Sequence, residues 1–297
     1  MLSLKVFVPL FIHGLGVAST STRQSCPFPV PSTIDPCQCH YDEHFRFYLS
    51  CNLTQDMDDV IMDKLVRGFG CQRKIFKFFV DLNGNDWTAT FDEETIGSFQ
   101  LNYFHLTNFG TFHGNIKKNA FNGSRNSIKE IRFDSSVVAA QDVNSFLSEK
   151  LLPGEVETEA FSQLNSLKKI SLGDSFSIIQ SNAFSQLKDL ESLDFAPQTI
   201  RRVASYGFSA LLSLKVLDLS NQSITEIEQN AFQLLPNLTE LQLSHNLLKQ
   251  VLDDTILPGG SSGLVALDLS HNPELCRIGN TLRYFIRQIE NYVIIMC

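Results

Sequence analysis

The chain has 297 residues, of which 43% are hydrophobic and 19% are charged. This composition is sufficient for a sizeable core and excludes a disordered chain. The net charge of −8 argues against nucleic acid or an anionic membrane as the partner, because phosphate groups are bound by basic surfaces.

The first segment, residues 1–18, has the features of a secretory signal peptide. It carries one lysine, an apolar centre and small residues that favour cleavage after Ala18. The apolar run is short and contains His13 and Gly14, which disfavours the alternative of a membrane anchor. No later stretch has the roughly 20 apolar residues that a membrane span needs. We therefore expect a secreted, extracellular protein without a membrane span.

Seven cysteines agree with an oxidising compartment. Residues 19–74, which we predict to be a cysteine-rich N-terminal cap, contain five of them: the cluster Cys26, Cys37, Cys39 and Cys51, and the separate Cys71. Zinc binding is the alternative, but one residue between Cys37 and Cys39 is fewer than a zinc pair usually has. Cys71 is left over, and it is either a buried free thiol or an intermolecular disulfide to another chain.

Four sequons predict surface positions that carry N-linked glycans in a secreted chain. Their asparagines are Asn52, Asn122, Asn221 and Asn237. Because this tripeptide also occurs by chance, we expect only some of the four to be glycosylated.

A repeated motif dominates the rest of the chain. Eight segments open with the pattern Leu-x-x-Leu-x-Leu, in which another apolar residue can replace each leucine. They begin at Ile75, Leu101, Ile128, Leu167, Leu190, Leu214, Leu238 and Leu264. An asparagine follows the last two, and Gln222 takes the same place in the sixth. This pattern is typical of leucine-rich repeats. It predicts an α/β solenoid over residues 75–275, a curved coil with a parallel concave sheet.

A second phrase, Asn-Ala-Phe or a variant of it, recurs on the return path of the units. Its phenylalanines are Phe121, Phe161, Phe184, Phe208 and Phe232. We expect each ring to fill the space beneath the outer, convex segment, so that the large Phe content is core and not a ligand cage. No unit buries its apolar face alone, which is why the phrase repeats.

Two segments depart from the repeat. The unit that opens at Ile128 is too long, and the excess within residues 134–160 is either a degenerate extra turn or a protruding helix and loop. A protruding loop on a rigid scaffold often carries function, and a tolerated insertion is the alternative. Residues 276–297 are predicted to be a helical C-terminal cap flanked by Cys276 and Cys297, which we expect to be joined. The face of this helix would comprise Leu282, Phe285, Ile286, Ile289 and Val293.

The strands are expected to present side chains between the consensus apolar residues to the concave face. In the C-terminal half these side chains are acidic and small, whereas the N-terminal half is aromatic with mixed charge. Aromatic and arginine residues are favoured anchors of protein interfaces. We therefore predict a partner-binding patch that comprises Phe79, Tyr103, His105 and Arg132. The alternative is an ordinary solvated strand face.

No catalytic or phosphate-binding motif is present, and the sequence predicts neither an enzyme nor a cofactor. His245 and His271 share one repeat position. A metal ion between them is the alternative to two polar surface residues, but the pattern specifies no further ligand.

The cysteine cluster resembles the caps of many extracellular leucine-rich repeat arrays, and this resemblance implies the pairs Cys26–Cys39 and Cys37–Cys51. A finer resemblance rests on residues 26–27, 34–39 and 49–51 and on divergent, Phe-rich repeats. These are similar to secreted arthropod proteins named after the non-catalytic subunit of the shrimp luciferase complex, oplophorus-luciferin 2-monooxygenase. The resemblance implies a leucine-rich chain that accompanies a separate catalytic chain, and it carries over no catalytic residue.

The sequence thus favours a secreted repeat protein that binds another protein, as an accessory subunit or recognition module. A self-associating matrix or adhesion protein is the main alternative, and a small-molecule carrier is a further one.

Overall fold

The computed structural model describes residues 37–53, 74–82, 86–91, 99–108, 111–135, 154–173, 176–250, 264–277 and 292–294. Within these ranges the chain winds into a coil of parallel strands around one continuous apolar core. The predicted leucine-rich repeat coil is therefore confirmed.

Most of the regular structure consists of short strands. In chain order they are β1 (Cys37–Tyr41), β2 (Phe47–Leu53), β3 (Lys74–Leu82), β4 (Asp86–Phe91), β5 (Gln100–Asn108), β6 (Thr111–Ile116), β7 (Glu130–Ser135), β8 (Gly154–Val156), β9 (Lys169–Leu172), β10 (Phe176–Ile179), β11 (Ser192–Phe195), β12 (Arg202–Val203), β13 (Val216–Asp218), β14 (Glu226–Ile227), β15 (Glu240–Gln242), β16 (Ala266–Asp268) and β17 (Tyr292–Ile294). A 3₁₀ helix spans Asn122–Ser124, and helix α1 spans Pro273–Arg277.

The concave surface is formed by two runs of paired strands. The first has the order β1-β2-β3-β5-β7-β9-β11 and the second has the order β13-β15-β16-β17. Strand β1 is antiparallel to β2, and every other pair in these runs is parallel. Each of the eight repeat openings leads into one of these strands, and equivalent residues face each other; Phe78, for example, pairs with Phe104.

The opposite side of the coil carries a second parallel sheet, of order β14-β12-β10-β8-β6-β4. Strand β8 comes from the end of the segment that was expected to be an insertion, and it pairs with β6 and β10. Gly154–Val156 therefore supplies the outer strand of its unit. Residues 136–153, the rest of the insertion, lie outside the described residues.

The recurring phenylalanines form one column through the core. Phe161, Phe184 and Phe208 stack with ring centroids 5.5 Å apart and interplanar angles of 7° and 6°. Phe121 and Phe232 continue the column at its two ends, at 6.1 Å and 5.9 Å. All five rings are buried, which confirms the predicted role of this position.

The asparagine of the repeated phrase has a separate role that the pattern alone did not explain. Asn119, Asn182 and Asn230 have φ angles of 64°, 57° and 60°. This left-handed conformation is disfavoured for most L-residues and is tolerated best by glycine and asparagine. A hydrogen bond also joins this turn to the same turn of the next unit. The backbone amide of Asn182 donates to the carbonyl of Tyr206, the equivalent residue, at 3.2 Å.

A ladder of buried amides closes the turn after each C-terminal concave strand. Asn246 donates through Nδ2 to the carbonyl of Leu219 at 2.8 Å, and its Oδ1 accepts the amide of Ile224 at 3.0 Å. Asn272 and Gln222 make equivalent bonds to neighbouring units. These bonds satisfy polar groups of the turn backbone that burial would otherwise leave unpaired.

The N-terminal cap is a hairpin that extends the concave sheet. The disulfide Cys37–Cys51 joins directly opposed residues of β1 and β2, which confirms that pair. Cys39 is also disulfide-bonded, while its predicted partner Cys26 lies outside the described residues. Cys71 and the signal segment also lie outside them.

The C-terminal end differs from the predicted helical cap. Val293 was placed on a helix face, yet it lies in β17 and pairs in parallel with Leu267 of β16. Strand β17 thus acts as a ninth repeat strand, and β16 is paired on both of its edges, with β15 and with β17. The other four residues of the predicted helix face lie in residues 278–291, which are outside the described residues. Cys297 is also outside them, so the disulfide between Cys276 and Cys297 stays a prediction.

The phenylalanine column offers a direct test of the stacking. Phe184→Ala is expected to lower the free energy of unfolding by about 3–5 kcal/mol, because it removes a buried ring between two others. Phe45→Ala is a matched control, since Phe45 is 78% exposed and its change should stay within about 0.5 kcal/mol. Urea unfolding followed by circular dichroism measures both, and equal losses would contradict the stacked core.

Candidate protein-binding site

The four predicted patch residues lie together on three adjacent concave strands. Phe79 of β3 pairs with His105 of β5, which pairs with Arg132 of β7. Tyr103 lies two residues before His105 on the same strand and so points to the same side. The rings of Phe79 and His105 are 5.7 Å apart. Their use in binding is not tested by this geometry, but their proximity is established.

A row of aromatic rings that the sequence reasoning missed crosses the same region. His40 of β1 stacks on Tyr48 of β2 at 4.8 Å and 9°. Tyr48 meets the edge of Phe76 of β3 at 5.5 Å, and Phe76 meets Tyr103 of β5 at 5.3 Å. We call these four residues the aromatic row. All four are half-buried, so each retains some surface that a partner can contact.

Two cations lie on the faces of these rings. The guanidinium carbon of Arg46 is 4.5 Å from the centre of the Phe76 ring. The ammonium of Lys77 is 4.4 Å from the centre of Phe79 and 6.0 Å from that of Tyr103. Such contacts are worth about 0.5–1 kcal/mol at exposed sites. They hold the aromatic and charged side chains in fixed positions, so the surface is organised before any partner binds.

Asp134 joins the two polar members of the patch. Its carboxylate accepts a hydrogen bond from Arg132 Nε at 2.8 Å, and His105 Nε2 lies 2.9 Å from it. Partial burial would raise the pKa of Asp134, but the bonds and charges of Arg132 and His105 outweigh it and lower that pKa. The same bond raises the pKa of Arg132. Asp134 therefore fixes the orientation of both side chains.

A second carboxylate organises the turn between β1 and β2. Asp42 accepts hydrogen bonds from the amides of His44 and Arg46 at 2.9 Å each, and from Arg46 Nε at 2.6 Å and Tyr48 Oη at 3.2 Å. Desolvation would raise the pKa of Asp42, but these bonds together lower it to about 2. Asp42 thus locks Arg46 and Tyr48 at one end of the aromatic row.

Phe45 protrudes from this turn. It is 78% exposed and has a φ of 57°, in the region where hairpin turns favour glycine or asparagine. An exposed aromatic side chain in a disfavoured backbone conformation brings no packing energy to the fold. It directly precedes Arg46, whose guanidinium packs on Phe76 of the aromatic row.

The acidic column of the C-terminal half has a structural role. Asp218 Oδ1 accepts the amide of Ser220 at 2.8 Å, and Asp268 Oδ1 accepts that of Ser270 at 2.9 Å. Asp194 pairs with Lys169 at 3.3 Å. These carboxylates satisfy turns and neighbouring strands, and the contacts do not converge on a shared reaction centre.

His245 and His271 stack face to face, with ring centroids 4.0 Å apart and an interplanar angle of 8°. Their ring nitrogens therefore point in parallel directions and do not converge on a point between the rings, which a chelated metal requires. In the described part of the chain no three His, Cys, Asp or Glu side chains are grouped to hold a metal ion.

The sequon asparagines occupy different surfaces. Asn52 is exposed on β2 and pairs in register with Asp81 of β3, so it lies on the concave side. Asn122 begins the 3₁₀ helix and is half-buried. Asn221 and Asn237 are exposed in turns between strands.

Comparison with known proteins supports the repeat architecture. A family model described as BspA type leucine rich repeat region matches residues 154–254 in six copies. No curated protein matches the chain. Among the described residues, no helix is sufficiently long and apolar to cross a membrane.

Several solved structures are similar at low identity. The T. pallidum leucine-rich repeat protein TpLRR is 16% identical, with a TM-score of 0.37; the match covers 86% of this chain and 94% of that one. TLR13 in complex with ssRNA13 is 18% identical, with a TM-score of 0.37 and 74% of this chain covered. The Drosophila Toll–Spatzle complex is 13% identical, with a TM-score of 0.24 and 79% coverage. The matches cover 36% of the TLR13 chain and 48% of the Toll-complex chain.

The Asp42 cluster has a defined pH dependence. A carboxylate with a lowered pKa stabilises the folded state above its unfolded pKa, here 3.8, and this stabilisation is lost as the pH falls towards about 2. Asp42→Asn is therefore expected to be less stable than the wild type at pH 7, with a difference that shrinks between pH 4 and pH 2. Urea unfolding at each pH measures it.

Glu43→Gln, which removes an exposed neighbouring carboxylate, is the control for the Asp42 variant. The stability of this variant should match that of the wild type at pH 7 and at pH 2. A constant penalty for Asp42→Asn across the pH range would show that the carboxylate charge does not hold the turn.

Proposed function

We propose that this leucine-rich repeat chain is secreted and binds another protein through the N-terminal half of its concave sheet. It would serve as a non-catalytic accessory subunit or recognition module. The observation that carries this proposal is the aromatic row with its two ring-bound cations, next to Phe79, His105 and Arg132. Leucine-rich repeats commonly mediate protein binding, and their fold typically serves recognition and not catalysis.

The composition of this surface supports a protein partner. Aromatic residues and arginine contribute most of the binding energy in many protein interfaces. Here they are already held by Asp42 and Asp134 through the hydrogen bonds described above. A surface ordered in advance loses less conformational freedom on binding, which strengthens the complex without adding contacts.

Lys77 indicates one chemical feature of the partner. Its ammonium lies over Phe79 and near Tyr103, and no carboxylate among the described residues forms an ion pair with it. We expect the partner to bring a carboxylate to Lys77 and apolar side chains to the neighbouring rings. Such a charge pair in a partly desolvated interface would fix the orientation of the complex.

Secretion is supported by the apolar leader at residues 1–18 and by the disulfide-bonded cap. The accessory-subunit role is supported by the cap motif at residues 34–39 and 49–51, which resembles the luciferase-complex family.

Recovery of the native protein, followed by mass spectrometry of whatever accompanies it, tests this role. A second secreted chain in fixed ratio supports it, and activity with coelenterazine then tests luminescence. Recovery of this chain alone as a monomer contradicts a stable subunit.

The binding surface itself is tested by paired alanine variants. Tyr103→Ala with Arg132→Ala is expected to weaken partner binding by roughly 30-fold, or about 2 kcal/mol, because it removes two anchors of the patch. Isothermal titration or surface plasmon resonance against the recovered partner measures the affinity.

A matched control changes the same two columns of the sheet in the C-terminal half. Val216→Ala with Gln242→Ala should leave the affinity within a factor of about two. Unchanged binding in the Tyr103 and Arg132 variant would exclude the patch. Equal losses in both double variants would show that the whole concave face binds.

A further inference from the structure

An apolar surface lies on the turns between the outer segments and the concave strands of two neighbouring units. Leu234 is 65% exposed and Leu212 is 38% exposed, and Pro236 is exposed as well. The residues at equivalent places in the two preceding units are mostly polar: Gln163, Asn165, Gln186 and Lys188. We call Leu212, Leu234 and Pro236 the apolar turn patch. Its composition therefore differs from that of the two preceding units.

The backbone at Leu234 adds a second anomaly. Its φ is 59°, a left-handed conformation that costs a leucine roughly 1–2 kcal/mol. The equivalent Gln163 and Gln186 share this conformation while presenting a polar side chain to water. A leucine there gains no burial in return for its conformation. The side chain is therefore explained only by something outside the packed core.

Asn237 adjoins this patch. It is exposed, and its Nδ2 donates to the carbonyl of Leu212 at 2.6 Å. It follows Pro236 directly and is three residues from Leu234. It also begins the sequon Asn-Leu-Thr that ends at Thr239. The side-chain amide to which a glycan would be attached thus lies beside the apolar side chains that the glycan would cover.

We propose that Asn237 carries an N-linked glycan whose first sugars lie over the apolar turn patch and shield it from water. This rests on the proposed secretion of the chain. In the transfer, the amide nitrogen bonds to C1 of an oligosaccharide carried on a lipid diphosphate. The bond from C1 to the diphosphate oxygen breaks, the lipid diphosphate leaves, and the nitrogen loses one proton.

The structure explains how the glycan is directed onto the patch. The glycosylated amide keeps one N–H, so the hydrogen bond to the carbonyl of Leu212 can persist. That bond holds the side chain, and hence the first sugar, next to Leu212. The C–H faces of a pyranose ring are apolar, and contact with leucine and proline side chains removes their surface from water.

Asn221 provides a contrast within the same array. It is also an exposed sequon asparagine in a turn, and its φ is 54°. Its backbone bonds to Gln198 and Ser244, and its side chain is near Ser220, so its surroundings are polar. Asn221 is therefore the matched control for Asn237.

The test begins with glycan occupancy. The full chain, including residues 1–18, is expressed in cultured insect cells, and each sequon of the protein in the medium is examined by glycopeptide mass spectrometry. We expect Asn237 to be occupied. An empty Asn237 in secreted protein that is glycosylated elsewhere would overturn this inference and leave secretion intact. A chain absent from the medium, with all four sequons empty, would instead overturn the proposed secretion and this inference with it.

The shielding is measured with the dye anilinonaphthalene sulfonate, whose fluorescence rises on apolar surface. Asn237→Gln is expected to raise the fluorescence by about two-fold or more, while Asn221→Gln leaves it unchanged. Adding Leu212→Ser and Leu234→Asn to Asn237→Gln should return the signal to the wild-type value. Removal of the whole glycan from the folded wild-type protein with a peptide N-glycosidase gives the same readout if the Asn237 variant does not fold. An unchanged signal after this removal, with Asn237 occupied beforehand, would overturn the shielding.

Discussion

Stacking of neighbouring units is the constraint on which the rest of this structure depends. A single unit has two short strands and a turn, and it cannot bury its own apolar face. The column from Phe121 to Phe232 joins neighbouring units in the core, and the amide ladder at Gln222, Asn246 and Asn272 joins the C-terminal units at their turns, in addition to the strand pairing. The column supplies apolar burial, and the ladder satisfies the backbone where the chain leaves the strand.

The same stacking produces a surface whose side chains have fixed spacing. Because the strands pair in register, Phe79, His105 and Arg132 are aligned across three units. The cap hairpin joins this sheet through β2 and adds Tyr48 and His40 to it. The candidate binding surface is therefore built at the junction of cap and array. Asp42 and Asp134 hold its two ends, each with a lowered pKa that reflects the bonds it accepts.

The outer turns follow a different rule from the core. Among the described non-glycine residues with a left-handed backbone, half are asparagine or glutamine, which tolerate the conformation and interact with water. Of the apolar and aromatic residues at such positions, Phe45 and Leu234 are the most exposed. A residue that costs the fold energy is best explained by a contact outside it. At Phe45 the adjacent aromatic row points to a protein partner, and at Leu234 the adjacent sequon points to a glycan.

Much of this architecture could be predicted from the sequence, because periodic residues meet their own equivalents once the units stack. The eight strand positions, the register of the concave columns, the buried phenylalanines and the ladder asparagines all follow from the period. The resemblance of the cap implied Cys37–Cys51 correctly. The helical placement of Val293 was wrong, since apolar spacing over a few residues does not distinguish a helix from a strand when a sheet edge is available for pairing.

Other features were decided by tertiary structure. The aromatic row joins residues of the cap to residues of the repeats, and no period relates these segments. The left-handed turns depend on backbone geometry at a position whose residue type varies. The stacking of His245 on His271 depends on the distance between adjacent turns. The sequence by itself determined which residues repeat and therefore the coil; only the packed structure decided which non-repeating side chains meet on its surface, because those contacts arise from strand pairing between unlike segments.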